Sequence, residues 1–489
     1  MVLFHDDILP IIVSNLDDVD LIVLLNVCRY WKEFVKKSTS IFVKKSKYID
    51  ALASKGHSRV IDWALDLGCE WGAKTTFIAA KHGHLNIVQR AINYDLDDNL
   101  LVYDDRLYRK AASGGAINVL KWVLDAKFSV PKWRFTKMLR LRFGIGPSGW
   151  WDKICPIAAK RGHLDFIKWA HSEGFPLNVD TSANAAGRGD FEMLQWLYLN
   201  YCPWDESSCA EAAHGGHLKI LQWLRLNGCP WNKLTCAKAA RGGHLEILQW
   251  ARSNGCPWNQ STCTKAAKKG HVDIIQWARS NGCSWSIFTC ISAAKKGHLN
   301  VLQLAHQNGW PLPVYVANSA AMFGHLCIIK WLHASGLIND RTIHLDTITN
   351  GHLDILQWMC QNGYLLPAST NYFAIIYGHL HIIKWLHEIS FELPQDICRL
   401  AAERGQLNII KWAYENGFPL TDSICDNAAD GGHLEVIKWA YENGQTLSKS
   451  ACQLLYVRGH QHILRWIREN NYQPNGVFLF DLFDTVVCI

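Results

Sequence analysis

The sequence predicts an all-α solenoid of stacked helical hairpins, and three observations predict it. A glycine, followed by histidine in most cases, recurs every 27 residues from Gly162 to Gly459 without an insertion. Each repeat contains two apolar patterns with the spacing of helices. Tryptophan occurs 23 times in 489 residues, and thirteen of these stand seven positions after a repeat glycine. So long a run of one period indicates a repeat array and not several globular domains.

The repeat around Gly270 shows how each unit is expected to fold. Ala266 and Ala267 belong to a short first helix, which Gly270 ends. The apolar positions from Val272 to Ala278 form one stripe of a second helix, and Asn281-Gly282 ends it. We expect the tryptophan on this stripe to be the large buried contact between neighbouring repeats. We expect the histidine after the glycine to hydrogen-bond the backbone at the start of the helix.

Composition narrows the class of protein. Only 19% of the residues are charged and the net charge is +7, which is small for this length, so a nucleic-acid partner is not expected. The first apolar run, Ile8 to Val13, is interrupted by Pro10 and is too short for a signal peptide or a membrane span. We therefore expect an intracellular protein, cytoplasmic or nuclear, that has no membrane partner.

Cysteine and histidine, which often form catalytic or metal sites, recur in this chain mainly at the repeat period. Most of the 17 cysteines recur at the 27-residue period, and no Cys-x-x-Cys occurs, so we expect small buried apolar side chains and not disulfides or zinc ligands. The paired histidines have no cysteine or carboxylate at zinc spacing. Gly144 to Gly149 has dinucleotide-site spacing but contains Pro147 and lies among helical patterns. We expect no cofactor, no metal, no small-molecule substrate and no enzymatic activity.

The pattern Ala-Ala-x-x-Gly-His-Leu-x-Ile-Leu-x-Trp, followed by Asn-Gly-Cys-Pro-Trp-Asn, resembles the helix pair and trailing loop of ankyrin repeats over residues 50 to 470. The units lack the Thr-Pro-Leu-His of that family and are shorter than its usual 33 residues. The missing length falls in the loop that forms the ankyrin finger. Shortened units rich in Gly-His-Leu and Trp are similar to those of giant DNA viruses, which implies host-virus interaction.

Residues 4–42 do not follow the period. Leu16, Asp17, Asp20, Leu21 and the positions up to Trp31 resemble the second half of the F-box pattern, whereas Phe4-His5 replaces its usual Leu-Pro. The resemblance implies docking on the Skp-type adaptor and cullin of a ubiquitin ligase. The expected docking residues are Phe4, Ile8, Leu16, Leu21, Leu24, Val27 and Trp31. The alternative is that this helical segment only caps the first repeat.

In ankyrin folds the first helices and the loops form the binding surface, so residues that vary there are candidate contacts. The two positions before the repeat glycine are mostly basic from Lys160 to Lys296 and apolar from Met322 to Tyr377. We expect a protein with an acidic face beside an apolar one to bind there. The candidate residues are Lys160, Arg161, Arg188, Arg241, Lys268, Lys269, Lys295, Lys296, Met322, Phe323 and Tyr377.

The predicted organisation has five parts. They are an F-box-like helical domain at 1–45, first ankyrin-like repeats at 46–90, an irregular segment with one distorted repeat at 91–154, regular repeats at 155–472 and a tail or cap at 473–489. The leading hypothesis is a substrate-recruiting adaptor of a Skp-cullin-F-box ubiquitin ligase. The alternative is a scaffold or sequestering protein with no ligase link.

Overall fold

The computed structural model describes residues 45–66, 71–94, 105–126, 151–338, 340–421 and 423–470. The chain divides into two compact bodies, an N-terminal body of residues 1–262 and a C-terminal body of residues 263–489. All 30 regular elements among the described residues are helices, which confirms the all-α, helical-repeat prediction.

Seven helix pairs surround Gly56, Gly83, Gly115, Gly162, Gly189, Gly216 and Gly243 in the N-terminal body. Their helices are α1 Lys45–Lys55, α2 Ser58–Asp66, α3 Ala73–Lys81, α4 Leu85–Tyr94, α5 Asp105–Gly114, α6 Ile117–Ala126, α7 Trp151–Arg161, α8 Leu164–Ser172, α9 Val179–Arg188, α10 Phe191–Leu199, α11 Glu206–Gly215, α12 Leu218–Leu226, α13 Lys233–Gly242 and α14 Leu245–Ser253. Odd numbers are the first helices of the repeats and even numbers the second.

The next helix, α15 Ser261–Ala267, contains the junction between the bodies. The C-terminal body continues with α16 Val272–Ser280, α17 Ile287–Ala294, α18 Leu299–Gln307, α19 Tyr315–Met322, α20 Leu326–Ala334, α21 Asp340–Thr349, α22 Leu353–Gln361, α23 Thr370–Ile376, α24 Leu380–Glu388, α25 Ile397–Glu403, α26 Leu407–Glu415, α27 Ile424–Asp430, α28 Leu434–Glu442, α29 Lys449–Val457 and α30 Gln461–Glu469. Each repeat is named below by its glycine.

Small residues on the first helix and larger aliphatic residues on the second build the core of each repeat. In the Gly216 repeat, Ala212, Ala213, Leu221 and Leu224 are fully buried, and Ile220 is nearly so. The small side chains let first helices approach one another, and successive first helices contact each other from α1 to α13 and from α17 to α29. Burying one leucine or isoleucine contributes about 1.5–3 kcal/mol. Stacking therefore supplies stability that one short hairpin lacks.

The repeat glycine ends the first helix in a left-handed conformation. All fifteen repeat glycines have positive φ angles, such as 83° at Gly162 and 74° at Gly324. The amide of His163 donates to the carbonyl of Ala158 over 3.1 Å, as in a Schellman cap. A second glycine, such as Gly282 with a φ of 82°, follows the second helix. Both predicted helix ends are confirmed at these positions.

In most of the described repeats, the histidine after the glycine reaches back to the repeat before it. At ten repeat glycines, an added Cβ would meet a ring atom of the next repeat's histidine at 2.4 to 2.9 Å. In eight of these contacts, Nε2 lies 3.0 to 3.3 Å from the backbone carbonyl oxygen two residues before that glycine. This glycine-histidine contact joins consecutive repeats, because the ring occupies the space that a side chain would fill.

The expected hydrogen bond at the helix start is wrong for the histidines. His217, His325 and His352 precede their helices and make no side-chain capping bond. Asp190, which replaces the histidine in the Gly189 repeat, does accept from the amide of Met193 over 3.0 Å. In that repeat the guanidinium of Arg188 covers Gly162 instead.

The tryptophans contact neighbouring repeats, but most are less buried than expected. Trp385 is 9% exposed, whereas Trp223 and Trp358 lie half-buried. Trp223 meets Tyr198 of the preceding repeat edge-on, with ring centroids 5.5 Å apart at 81°. His333 and Trp358 repeat this geometry at 5.3 Å and 84°. An edge-to-face contact leaves one side of the indole at the surface, so most of the fully buried positions are aliphatic or alanine.

Candidate protein-binding face

In the C-terminal body, the outer surface of the first helices is formed mainly by residues ten, nine, six, two and one positions before the repeat glycine. Steps of three and four residues within this set keep the positions on one broad face of the helix. In the Gly324 repeat, Tyr315, Met322 and Phe323 are exposed there, while Ala320 and Ala321 on the opposite side are fully buried. The outer residues can therefore differ between repeats without altering the core.

Within the N-terminal body, several of the basic residues on this face make contacts inside the body. Arg188 is exposed but packs over Gly162, and Arg241 is half-buried. Lys238 Nζ lies 2.7 Å from Glu211 Oε1 of the preceding repeat. Lys160 and Arg161 are exposed. The predicted basic residues of this body therefore do not form one uncompensated stripe.

Within the C-terminal body, the basic residues are concentrated and uncompensated. Lys268, Lys269, Lys295 and Lys296, here called the lysine cluster, are all exposed. The hydroxyls of Thr264 on α15 and Thr289 on α17 lie 3.0 Å apart, which links the two helices that precede these lysines. None of the ion pairs found among the described residues involves the cluster. Its four charges therefore face solvent.

Exposed apolar side chains continue the face beyond the lysine cluster. Met322, Phe323 and Tyr377, which the sequence indicated, are exposed by 39%, 46% and 52%. Six further exposed side chains lie on α17, α19, α21 and α23 or immediately before them. The apolar patch consists of Ile287, Phe288, Val314, Tyr315, Met322, Phe323, Leu345, Tyr372 and Tyr377. Because α17, α19, α21 and α23 contact one another in order, the patch runs across four consecutive repeats.

Sequence reasoning missed the six additional residues because it compared only the two positions before each glycine. Phe288 and Tyr315, exposed by 62% and 68%, stand nine positions before Gly297 and Gly324. The signal was available, since these positions lie on the outer face whenever the following alanine pair lies on the inner one.

The apolar patch ends where acidic and paired residues begin. Arg399 on α25 forms an ion pair with Asp396, and Arg458 Nη2 lies 2.9 Å from Asp430 Oδ1. The outer positions of α25 and α27 contribute no large exposed hydrophobic residue. The apolar patch is thus bordered at one end by the lysine cluster. At the other end, near α25, it is bordered by acidic and basic residues that form ion pairs.

Most thiols are held inside the repeats. Twelve of the fourteen described cysteines are buried, Cys360 is intermediate and Cys327 is exposed. Burial raises the pKa of the Cys290 and Cys425 thiols to about 12, and that of Cys398 to about 11. The Cys229 thiol lies 3.3 Å from the carbonyl oxygen of Asp205. The Cys290, Cys398 and Cys425 thiols are therefore protonated at neutral pH and act as small apolar contacts.

Neither a metal-binding cluster nor a membrane-spanning helix occurs among the described residues. Among the residues that the structure describes, no three His, Cys, Asp or Glu side chains are grouped to hold a metal ion. None of the described helices is long and apolar enough to cross a membrane. The glycine-rich stretch at 144–149 and the predicted docking residues from Phe4 to Trp31 lie outside the described residues.

Comparison with known proteins identifies the N-terminal segment. The family model for the F-box domain matches residues 3–42. A search of the curated proteins finds no match.

Similar solved structures include helical repeat proteins. The crystal structure of the pentatricopeptide repeat protein PPR10 from maize is 14% identical, with a TM-score of 0.31, over 94% of this chain and 79% of that one. The same protein in complex with an 18-nt psaJ RNA element is 12% identical, with a TM-score of 0.34, over 96% and 79%.

Proposed function

We propose that this chain is a substrate-recruiting subunit of a Skp-cullin-F-box ubiquitin ligase. The match of residues 3–42 to the F-box domain is the observation that carries the proposal. The F-box would dock on the Skp-type adaptor and cullin, and the helical repeats would hold a protein target. The two tasks fall on separate parts of the chain.

Surface composition supports a target-binding role for the repeats. Monomeric proteins rarely expose large contiguous apolar patches, and those that do use them for recognition. The apolar patch presents nine large side chains on adjacent helices. The buried residues of these helices lie on the opposite side, so a partner could bind the exposed side chains without disturbing the core.

We further infer that the units are shortened ankyrin repeats of the type seen in giant DNA viruses. A helix pair, a left-handed glycine turn and a 27-residue period support this inference. The proposal treats the chain as a binding protein and not an enzyme, acting in the cytoplasm or nucleus, and in a host cell if it is viral. An experimental structure in which the first helices line the convex side would contradict the ankyrin assignment.

Co-purification with the adaptor tests the ligase function. The full chain and a Leu21→Ala/Trp31→Ala variant are each expressed with the Skp-type adaptor and cullin. We expect the wild-type chain to retain both partners and the variant to lose them. Circular dichroism must show equal helicity, so that a lost interaction is not caused by unfolding.

A second variant separates docking from general damage. Leu226→Ser/Leu365→Ser removes two side chains that are more than 85% exposed on the repeats, and it should retain the adaptor. If the wild-type chain recovers neither adaptor nor cullin, residues 3–42 act as a cap and the chain is a scaffold with no ligase link.

A further inference from the structure

We propose that the target segment is an acidic amphipathic peptide that lies on the first helices of the Gly270 to Gly378 repeats. Its apolar side chains would cover the apolar patch and its carboxylates would meet the lysine cluster. This proposal rests on the function above and specifies where on the repeats the target binds and which chemistry it has.

The apolar half of the proposal follows from where exposed hydrophobic side chains occur. The first helices from α17 to α23 and the residues that flank them carry nine, whereas the described first helices of the N-terminal body carry only Leu234. Aromatic residues are prominent among the nine, and buried aromatic anchors dominate the energy of many interfaces. Phe288, Tyr315 and Phe323 come from two consecutive repeats whose first helices are in contact.

The acidic part of the proposed peptide follows from the positive charge at one border of the apolar patch. Helices α15, α17 and α19 contain no aspartate or glutamate. Asp346 on the following first helix, α21, accepts with its Oδ2 from Asn318 Nδ2 over 2.7 Å. Two lysines on other first helices do have acidic partners, since Lys238 pairs with Glu211 and Lys74 with Asp50. Four exposed ammonium groups at one end of a patch favour a partner that carries carboxylates at the matching end.

The same features argue for a peptide over single-stranded nucleic acid. A nucleic-acid strand carries a phosphate at every nucleotide and needs cations along its path between the stacking aromatic residues. Helices α19 and α23 contain no lysine or arginine. Charge is therefore segregated from the aromatic residues, which suits a peptide with separate acidic and apolar parts.

A displayed library of random linear peptides is the probe. The library is selected on the full wild-type chain, and one enriched peptide is labelled for affinity measurements. We expect enriched peptides to combine several Asp or Glu residues with two or more large apolar residues. A Phe288→Ser/Tyr315→Ser variant should weaken binding about tenfold or more.

Reversing the charge of the lysine cluster tests whether the acidic residues of the peptide bind there. Changing Lys268, Lys269, Lys295 and Lys296 to Glu should weaken binding at low salt and remove most of its salt dependence. The matched control changes Lys219, Lys330, Lys384 and Lys411 to Glu, four exposed lysines on second helices. Leu226→Ser/Leu365→Ser is the apolar control. Both controls should bind as the wild type does.

Three results would overturn the proposal. They are selected peptides without acidic residues, equal affinity for the patch variants, and the absence of any selected peptide while a labelled oligouridine binds and is lost in Phe288→Ser/Tyr315→Ser. All variants must keep wild-type helicity and adaptor binding. Failure of adaptor binding in the wild-type chain would instead reject the ligase function and leave the peptide result standing.

Discussion

The imidazole of His352 lies directly over Gly324 of the preceding repeat. A Cβ added at Gly324 would be 2.6 Å from Cε1 of the ring, and Nε2 lies 3.0 Å from the carbonyl oxygen of Met322. Glycine is favoured at position 324 for two reasons. Its φ of 74° disfavours residues that carry a Cβ, and the imidazole of His352 occupies the space where a side chain would lie.

Gly324→Ala should destabilise the contact between repeats more than an equivalent change elsewhere. The control is Gly363→Ala, because Gly363 has a φ of 84° but nothing within 4 Å of the added Cβ. We expect the control to cost about 1 kcal/mol from the left-handed backbone, and Gly324→Ala to cost about twice that or more. Hydrogen exchange of the local amides measures both. Equal costs would mean that the ring moves aside without penalty.

His352→Gln should be better tolerated than His352→Ala. Gln406 occupies the same place over Gly378, with its side-chain oxygen 2.5 Å from the position of an added Cβ. Alanine leaves the Met322 carbonyl without its side-chain donor, at a cost of about 1–3 kcal/mol if water does not replace it. Thermal unfolding and local hydrogen exchange of the two variants give the comparison. An equally stable alanine variant would show that packing over the glycine contributes little.

Cys327 should be the first described thiol to react with iodoacetamide in the folded protein. It is exposed, whereas a pKa of about 12 at Cys290 and Cys425 leaves only about one molecule in ten thousand as thiolate at pH 8. Mass spectrometry of labelled peptides follows each site, and labelling in urea gives the unfolded control. Rapid labelling of Cys290 without urea would indicate that its repeat opens readily.

Stability should fall at alkaline pH through the same thiols. Their pKa rises from the ordinary value of 9.0 to about 12 on folding, so the folded state holds the proton more tightly. Their contribution is complete below pH 9 and is lost as the pH rises toward 12. Denaturation of the wild type and of a Cys290→Ala/Cys425→Ala variant across this range should show a shallower alkaline decline in the variant. Parallel declines would assign the effect to other groups.

The helix pairs could be predicted because their ends are marked locally. Gly270 and Gly282 adopt φ angles of 79° and 82° that few residues other than glycine accept, so each end can be found within a single repeat. The role of the histidine could not be found that way. Its partner carbonyl lies 30 residues earlier, as Met322 does for His352, and only stacking brings them together.

The candidate face was predicted in part for a related reason. Exposure of Met322 and Tyr377 follows from their position at the end of a first helix, which the sequence indicates. Tyr315 stands where that helix begins, and a helix start is less clearly marked than a glycine stop. The packing of Arg188 over Gly162 depends on the neighbouring repeat and could not be predicted from one repeat alone.

The glycine-histidine contact also makes the joints of the C-terminal body interchangeable. Gly324 is covered by His352, and Gly351 by His379, in the same manner. Deletion of one 27-residue period between them would place His379 over Gly324 and rebuild the same joint. A gene encoding such an array can therefore lose or duplicate a period in frame, and the lineage can reshape the outer face without having to evolve a new joint each time.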